Sequence, residues 1–175
     1  MRWVALLRAV NLGARNKVPM AELRALLSGA GYGDVRTYIA SGNVLLDGPQ
    51  ARSTIAGELE RLIADAFQVK TTAVMRTPKE LASVVAGHPF GVDTSQSHVV
   101  FLAERPGSQA ARQLAAADHS PDRALLVGAD VYLRYPAGVQ GSRLSTARLE
   151  RLLGTPGTHR NWRTVAALAE LATVA

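Results

Sequence analysis

The residues of this chain that could do chemistry concentrate in two stretches. Near the start, Arg8, Asn11, Arg15, Asn16 and Lys17 fall within a short polar segment around a single glycine, Gly13. Near the end stand Arg143, Arg160, Asn161 and Arg163. Cations beside side-chain amides and unpaired backbone N–H groups suit an anion: the charges attract it and the N–H groups orient it. Residues 1–17 carry four cations (Arg2, Arg8, Arg15 and Lys17) and no carboxylate, and residues 134–163 carry six arginines against Glu150 alone. The whole chain is only +6, so its remainder is net negative and the basicity is local, as a surface that attracts an anion requires.

Bulk basicity carries little of this argument. Of 20 basic residues only Lys17, Lys70 and Lys79 are lysines, beside abundant alanine, which reads as a compositional bias. Established catalytic patterns are missing. Gly13 stands alone, so the first segment is neither a Gly-x-Gly-x-x-Gly fingerprint nor a P-loop. Gly141-Ser142-Arg143 is not a nucleophile elbow, and no His-Glu-x-x-His occurs. His88, His98, His119 and His159 lack metal-ligand spacing, so no metal site is expected. With no cysteine, disulfides, iron–sulfur clusters and thiolate zinc sites are excluded. No apolar run is long enough to span a bilayer, and the opening residues lack a cleavage site after an apolar region. A cytoplasmic protein without a cofactor and without a membrane partner is therefore expected.

The elements that must position these residues follow from periodicity. Residues 3–7 are a continuous apolar run, a strand buried on both faces. Pro19 at a first helical position starts a helix with Leu23, Leu26 and Leu27 on one face. Residues 35–39 and 44–46 read as strands joined through Ser41-Gly42-Asn43, whose residue types favour a turn. A second helix, capped by Ser53 or Thr54, aligns Ile55, Leu59, Leu62 and Ile63. Residues 71–75 close the first half as a strand. Thr77-Pro78-Lys79-Glu80 is a capping box that opens the next helix. A strand at 98–103 follows, then a helix capped by Ser108, and a hairpin of 123–127 with 131–135. Ser145 caps a helix that Gly154 and Pro156 stop. Asn161 caps the last helix, its side chain accepting from the Thr164 N–H. Arg160 and Arg163 bracket that helix start, where positive charge opposes the macrodipole and either a bound phosphate or carboxylate or a carboxylate of the protein itself would relieve it. Tyr38, Tyr132 and Tyr135 fall on strands, but without the basic-aromatic signature of an RNA-recognition sheet they are expected in the core or hydrogen-bonded through their hydroxyls.

Leu6-Leu7-Arg8-Ala9-Val10-Asn11-Leu12-Gly13, Asn16-Lys17-Val18-Pro19-Met20, Thr37-Tyr38-Ile39-Ala40-Ser41-Gly42-Asn43-Val44 and Arg160-Asn161-Trp162-Arg163-Thr164-Val165 together resemble the domain-of-unknown-function 1697 family of bacterial proteins. The resemblance runs through nearly the whole chain and implies paired ferredoxin-like subdomains, with no established activity. The chain departs from the family pattern at Ala9 and Ala14, where glycine is favoured, and at Ala40, where glutamine is favoured.

The expected architecture is α+β: two ferredoxin-like subdomains with mainly antiparallel sheets and helices packed on them. Residues 1–76 form the first (β-α-β-β-α-β), and residues 77–175 the second (α-β-α-β-β-α-α) with an additional C-terminal helix. The expected function is binding of an anionic partner, a nucleic acid or a phosphorylated small molecule, through Arg8, Asn11, Arg15, Asn16, Lys17, Arg143, Arg160, Asn161 and Arg163 meeting on one face. Two alternatives stand beside it: an enzyme acting on a small phosphorylated or carboxylated metabolite, and a structural or partner-binding protein with no ligand. The sequence assigns no catalytic residue, and oligomeric state is not readable from it.

Overall fold

The computed structural model describes residues 1–174. Its elements are β1 (Arg2–Leu7), α1 (Met20–Gly29), β2 (Gly33–Tyr38), β3 (Asn43–Asp47), α2 (Arg52–Phe67), β4 (Ala73–Arg76), α3 (Pro78–Ala86), β5 (Ser97–Leu102), α4 (Ser108–Ala116), β6 (Arg123–Val127), β7 (Asp130–Arg134), α5 (Thr146–Leu153), β8 (Gly157–Asn161) and α6 (Trp162–Thr173). The protein is α+β, with two four-stranded sheets in the orders β2-β3-β1-β4 and β6-β7-β5-β8. Every neighbouring pair is antiparallel.

Backbone packing divides the chain into two units, Met1–Leu81 with Leu168–Ala175, and Ala82–Ala167. The division falls inside α3. The first turn of α3 is held to the first unit, because Glu80 accepts from Arg52 of α2 at 2.6 Å.

In the first unit β1 is central, and Val4, Ala5, Leu6 and Leu7 are all buried. Trp3, Ala5 and Leu7 share one face with Val44, Leu46, Ala73 and Met75, and that face packs on Leu23 and Leu27 of α1 and Ile55, Leu59 and Ile63 of α2. Alternation sends Val4, Leu6, Leu45 and Val74 to the opposite face, where they too are buried. The continuous apolar run of β1 reflects this double burial.

In the second unit β5 takes the central place. Val100 and Leu102 join Val131 and Leu133 against Leu114 of α4 and Leu149 and Leu153 of α5. Tyr132 and Tyr135 are buried, and each hydroxyl donates to a backbone carbonyl, of Val84 (2.8 Å) and Leu144 (2.7 Å) respectively.

Local chemistry explains both agreements and departures. The capping box of α3 is complete: the Thr77 hydroxyl accepts from the Glu80 N–H, and the Glu80 carboxylate accepts from the Thr77 N–H. Ser145 caps α5 by accepting from the Arg148 N–H at 3.2 Å. Ser53 and Thr54 do not cap α2, whose N-cap is Ala51 with no side-chain bond. Likewise Ser108 is the first residue of α4, and Gly107 is the N-cap. Pro19 is the N-cap of α1 rather than its first helical residue. Asn43 belongs to β3 and is fully buried, its amide donating to the Tyr38 carbonyl at 2.9 Å. The turn is therefore Ile39–Gly42. The main omission from the sequence expectation is β8, an edge strand between α5 and α6 whose residues, Gly157-Thr158-His159-Arg160-Asn161, carry no apolar alternation.

Candidate functional site

The polar segment after β1 projects from the end of that strand as a self-braced loop. Its backbone takes left-handed conformations at Ala9, Asn11, Gly13 and Asn16, with φ of 57°, 53°, 58° and 51°. Asparagine tolerates this region and glycine is free in it, whereas alanine is strained. Asn11 works entirely within the protein. Its Nδ2 donates to the carbonyls of Val18 (2.9 Å) and Ala40 (2.7 Å), and its Oδ1 accepts from the Val18 N–H at 2.8 Å. Asn16 Nδ2 donates to the Ala9 carbonyl at 2.9 Å, while its own carbonyl accepts from the Asn11 N–H. Both amides are thus braces of the loop.

The cations differ in kind. Arg2 is neutralised, lying 2.6 Å from Asp34 and 3.5 Å from Asp47. Arg8 is half-buried, with its backbone carbonyl accepting from the Thr71 hydroxyl at 2.7 Å. Arg15 and Lys17 are exposed, and neither side chain has a hydrogen-bond or ion-pair partner among the described residues. The bond from Thr71 draws in a residue that spacing could not reveal: Lys70, next along the α2–β4 connection, is also exposed and unpaired among the described residues. Leu12 (63 % exposed) and Ile39 (53 %) leave apolar side chains at this same end of the sheet, joined through the bond from Asn11 to Ala40.

In the second unit the predicted residues occupy two places. Arg160, Asn161 and Arg163 span the junction of β8 and α6. Asn161 caps α6 as its type predicts, accepting from the Thr164 N–H at 2.9 Å. Arg163 is exposed and unpaired among the described residues. Arg160 is buried, and its Nη1 donates to Thr158 Oγ1 (2.7 Å) and the His159 carbonyl (2.8 Å). Burial lowers its pKa to about 10, because removing water penalises the charged form. Arg143, exposed, lies just before α5 on the wall of a hollow of about 260 Å³, which it shares with Asp122 and Ser142.

Two histidine arrangements emerge only in three dimensions. Residues 98 and 159 sit on the adjacent strands β5 and β8, one pleat apart, so both point to the face that bears α4 and α5. His159 Nε2 and His98 Nδ1 are 2.8 Å apart, with the Tyr135 ring 5.1 Å from that of His98. Burial, the neighbouring His98 and Arg160 push the His159 pKa down to about 4, and burial also lowers that of His98. No group of three or more potential metal ligands is gathered among the described residues. The second arrangement has the hydrogen-bond order of a nucleophile, a base and an orienting acceptor. Ser97 Oγ lies 2.7 Å from His88 Nε2, and His88 Nδ1 lies 3.1 Å from the Gly91 carbonyl. Ser97 is only 2 % exposed, and the trio fastens the connection between α3 and β5.

Comparison with known proteins agrees with the fold. The family described as "protein of unknown function (DUF1697)" matches residues 1–132, a span that includes the first loop and stops before β8 and α6. The solved structure of the conserved bacterial protein SP0830 from Streptococcus pneumoniae is similar over 98 % of each chain, with a TM-score of 0.76 and 22 % identity. No curated protein matches. No helix among the described residues is long and apolar enough to cross a membrane.

Proposed function

The chain belongs to the DUF1697 family, and from that premise we propose that it binds an anionic partner, with the loop of residues 8–17 as the principal contact. The observation that carries this reading is the pair of exposed cations without partners among the described residues, Arg15 and Lys17, on a loop held in left-handed conformations by its own asparagine amides. Left-handed backbone at a non-glycine residue costs about 1–2 kcal/mol and persists only where surrounding bonds impose it. In this reading Arg15, Lys17 and Lys70 meet the anion, Asn11 and Asn16 hold the loop in shape, and Arg8 supports its base. In the second unit Arg163 is a separate exposed cation, while Arg160 and Asn161 position the start of α6. Cations standing out from a surface suit a phosphate backbone better than a single enclosed phosphate, so a nucleic acid is the favoured partner and a phosphorylated small molecule the second.

We also read each unit as a ferredoxin-like subdomain. The order β2-β3-β1-β4 and its counterpart β6-β7-β5-β8 support this, both being all antiparallel with the first strand of the unit between its third and fourth.

The test is binding of the intact protein to single- and double-stranded oligonucleotides as salt is raised. Affinity is expected to fall steeply with salt, and Arg15→Ala with Lys17→Ala to reduce the slope of log affinity against log salt by about two units, roughly one per lost phosphate contact. Absence of binding at low salt removes the nucleic-acid reading. Saturable thermal stabilisation by one phosphorylated metabolite, weakly dependent on salt, selects the second partner.

A further inference from the structure

The hollow beside Arg143 lies wholly within the second unit, between the segment that precedes β6 and the segment joining β7 to α5. Asp122 forms part of its wall and is 9 % exposed, so the residue is nine-tenths buried. Only one of its oxygens is engaged: Oδ2 accepts from the Ser142 hydroxyl at 2.6 Å, and Ser142 Oγ accepts in turn from the Leu144 N–H at 2.9 Å. These bonds tether the two segments. A buried carboxylate is ordinarily matched by a cation or by several donors. Asp122 Oδ1 has neither among the described residues. Arg143, an exposed residue, lines the same hollow, and its side chain is likewise without an ion pair or hydrogen bond among the described residues. Two residues of opposite charge thus line one small space with no ion pair between them.

We propose that this hollow binds a small zwitterionic amino-carboxylate, its ammonium group donating to Asp122 Oδ1 and its carboxylate accepting from Arg143. A cation alone would leave Arg143 unmatched, and an anion alone would meet the Asp122 charge. A ligand bearing both signs, separated by a few bonds, satisfies both walls. The hollow's size suits a molecule this small, since pockets for drug-sized ligands begin near 300 Å³. The inference is independent of the loop at residues 8–17 and stands or falls without it.

The experiment is an amide-resolved NMR titration of the full chain at neutral pH with glycine, L-alanine and γ-aminobutyrate, using propylamine and propionate as single-charge controls. Saturable shifts confined to residues 119–122 and 137–143 are expected with at least one zwitterion, and markedly weaker ones with either control. Arg143→Gln, at an exposed position, is expected to weaken that binding about tenfold or more, the scale of one charge-assisted hydrogen bond. Asp122→Asn keeps an acceptor for Ser142 and is expected to do the same. Absence of saturable shifts with all three zwitterions at millimolar concentration overturns the proposal, as does binding that Arg143→Gln leaves intact or that propionate matches.

Discussion

Ala9 and Gly42 face each other in their demands on the backbone near the first loop. Ala9 holds φ at 57°, where its Cβ crowds the following carbonyl. Relief of about 1–2 kcal/mol exceeds the roughly 0.5–1 kcal/mol of extra chain entropy that glycine brings, so Ala9→Gly is expected to raise stability by about 0.5–1 kcal/mol. Gly42 is the reverse case. Its φ is 83°, and a Cβ there would stand 2.5 Å from Val10 Cγ2 and 2.8 Å from Leu7 Cβ. Gly42→Ala adds backbone strain to overpacking and is expected to cost about 2–4 kcal/mol. Urea denaturation of both variants measures the pair, and an unchanged midpoint for either contradicts the strain assigned to it. The sequence alone marks Gly42 as a turn residue, which is true but incomplete. Its second duty, admitting Val10 and Leu7 against the turn, depends on contacts across more than thirty positions that no local pattern carries.

Helix starts behave differently from one another, and the difference is measurable. Thr77 and Glu80 exchange both bonds of the capping box, and Glu80 also holds Arg52 at 2.6 Å, which helps keep its carboxyl pKa below the usual range despite burial. Ser53 lies inside the first turn of α2 and makes no cap bond. Thr77→Ala is therefore expected to lower stability by about 1 kcal/mol, and Ser53→Ala to change it by a few tenths at most. Chemical denaturation of the two variants side by side checks this, and equal losses would contradict the assignment of caps. At this scale the sequence was readable wherever a residue type performs one local task. Pro78 with Glu80, Ser145 and Asn161 announced real helix starts, and the apolar run of β1 announced double burial. It misled at α2 and α4, where a serine close to the helix start is not the capping residue. It was silent at β8, because that strand buries Gly157, Thr158 and Arg160 rather than aliphatic residues. Its place is fixed by pairing with β5, a partner more than fifty residues away. Arg15, Lys17 and Arg163 are exposed in the fold, and their local clustering of charge was visible in the sequence, whereas Lys70 and Asp122 needed folding to bring them into view.

Across the whole chain the titration chemistry is divided unequally. His88, His98, His119 and His159 all belong to the unit Ala82–Ala167, and residues 1–81 contain none. Within that unit the His98–His159 pair shares one hydrogen bond at 2.8 Å, supplied by a ring N–H of one neutral imidazole; protonating either ring buries a cation beside the nearby charge of Arg160, and protonating both sets two cations against each other. The Tyr135 ring beside both imidazoles supplies no charge to compensate. Unfolded, each histidine takes up its proton near pH 6.5; folded, His159 does so only near 4. Between those values the unfolded chain holds more protons. Stability is therefore complete above about pH 6.5 and is lost as pH falls toward 4, by about 3 kcal/mol from His159. Hydrogen exchange at pH 7 and at about pH 4.5, corrected for intrinsic rates, is expected to show amides of β5, β7 and β8 losing protection first while those of β1 and β3 hold. His159→Gln removes the titrating group, and although it lowers stability at neutral pH, it is expected to flatten the acid dependence. Equal loss of protection in both sheets, or an acid response that His159→Gln leaves intact, places the acid-sensitive group elsewhere.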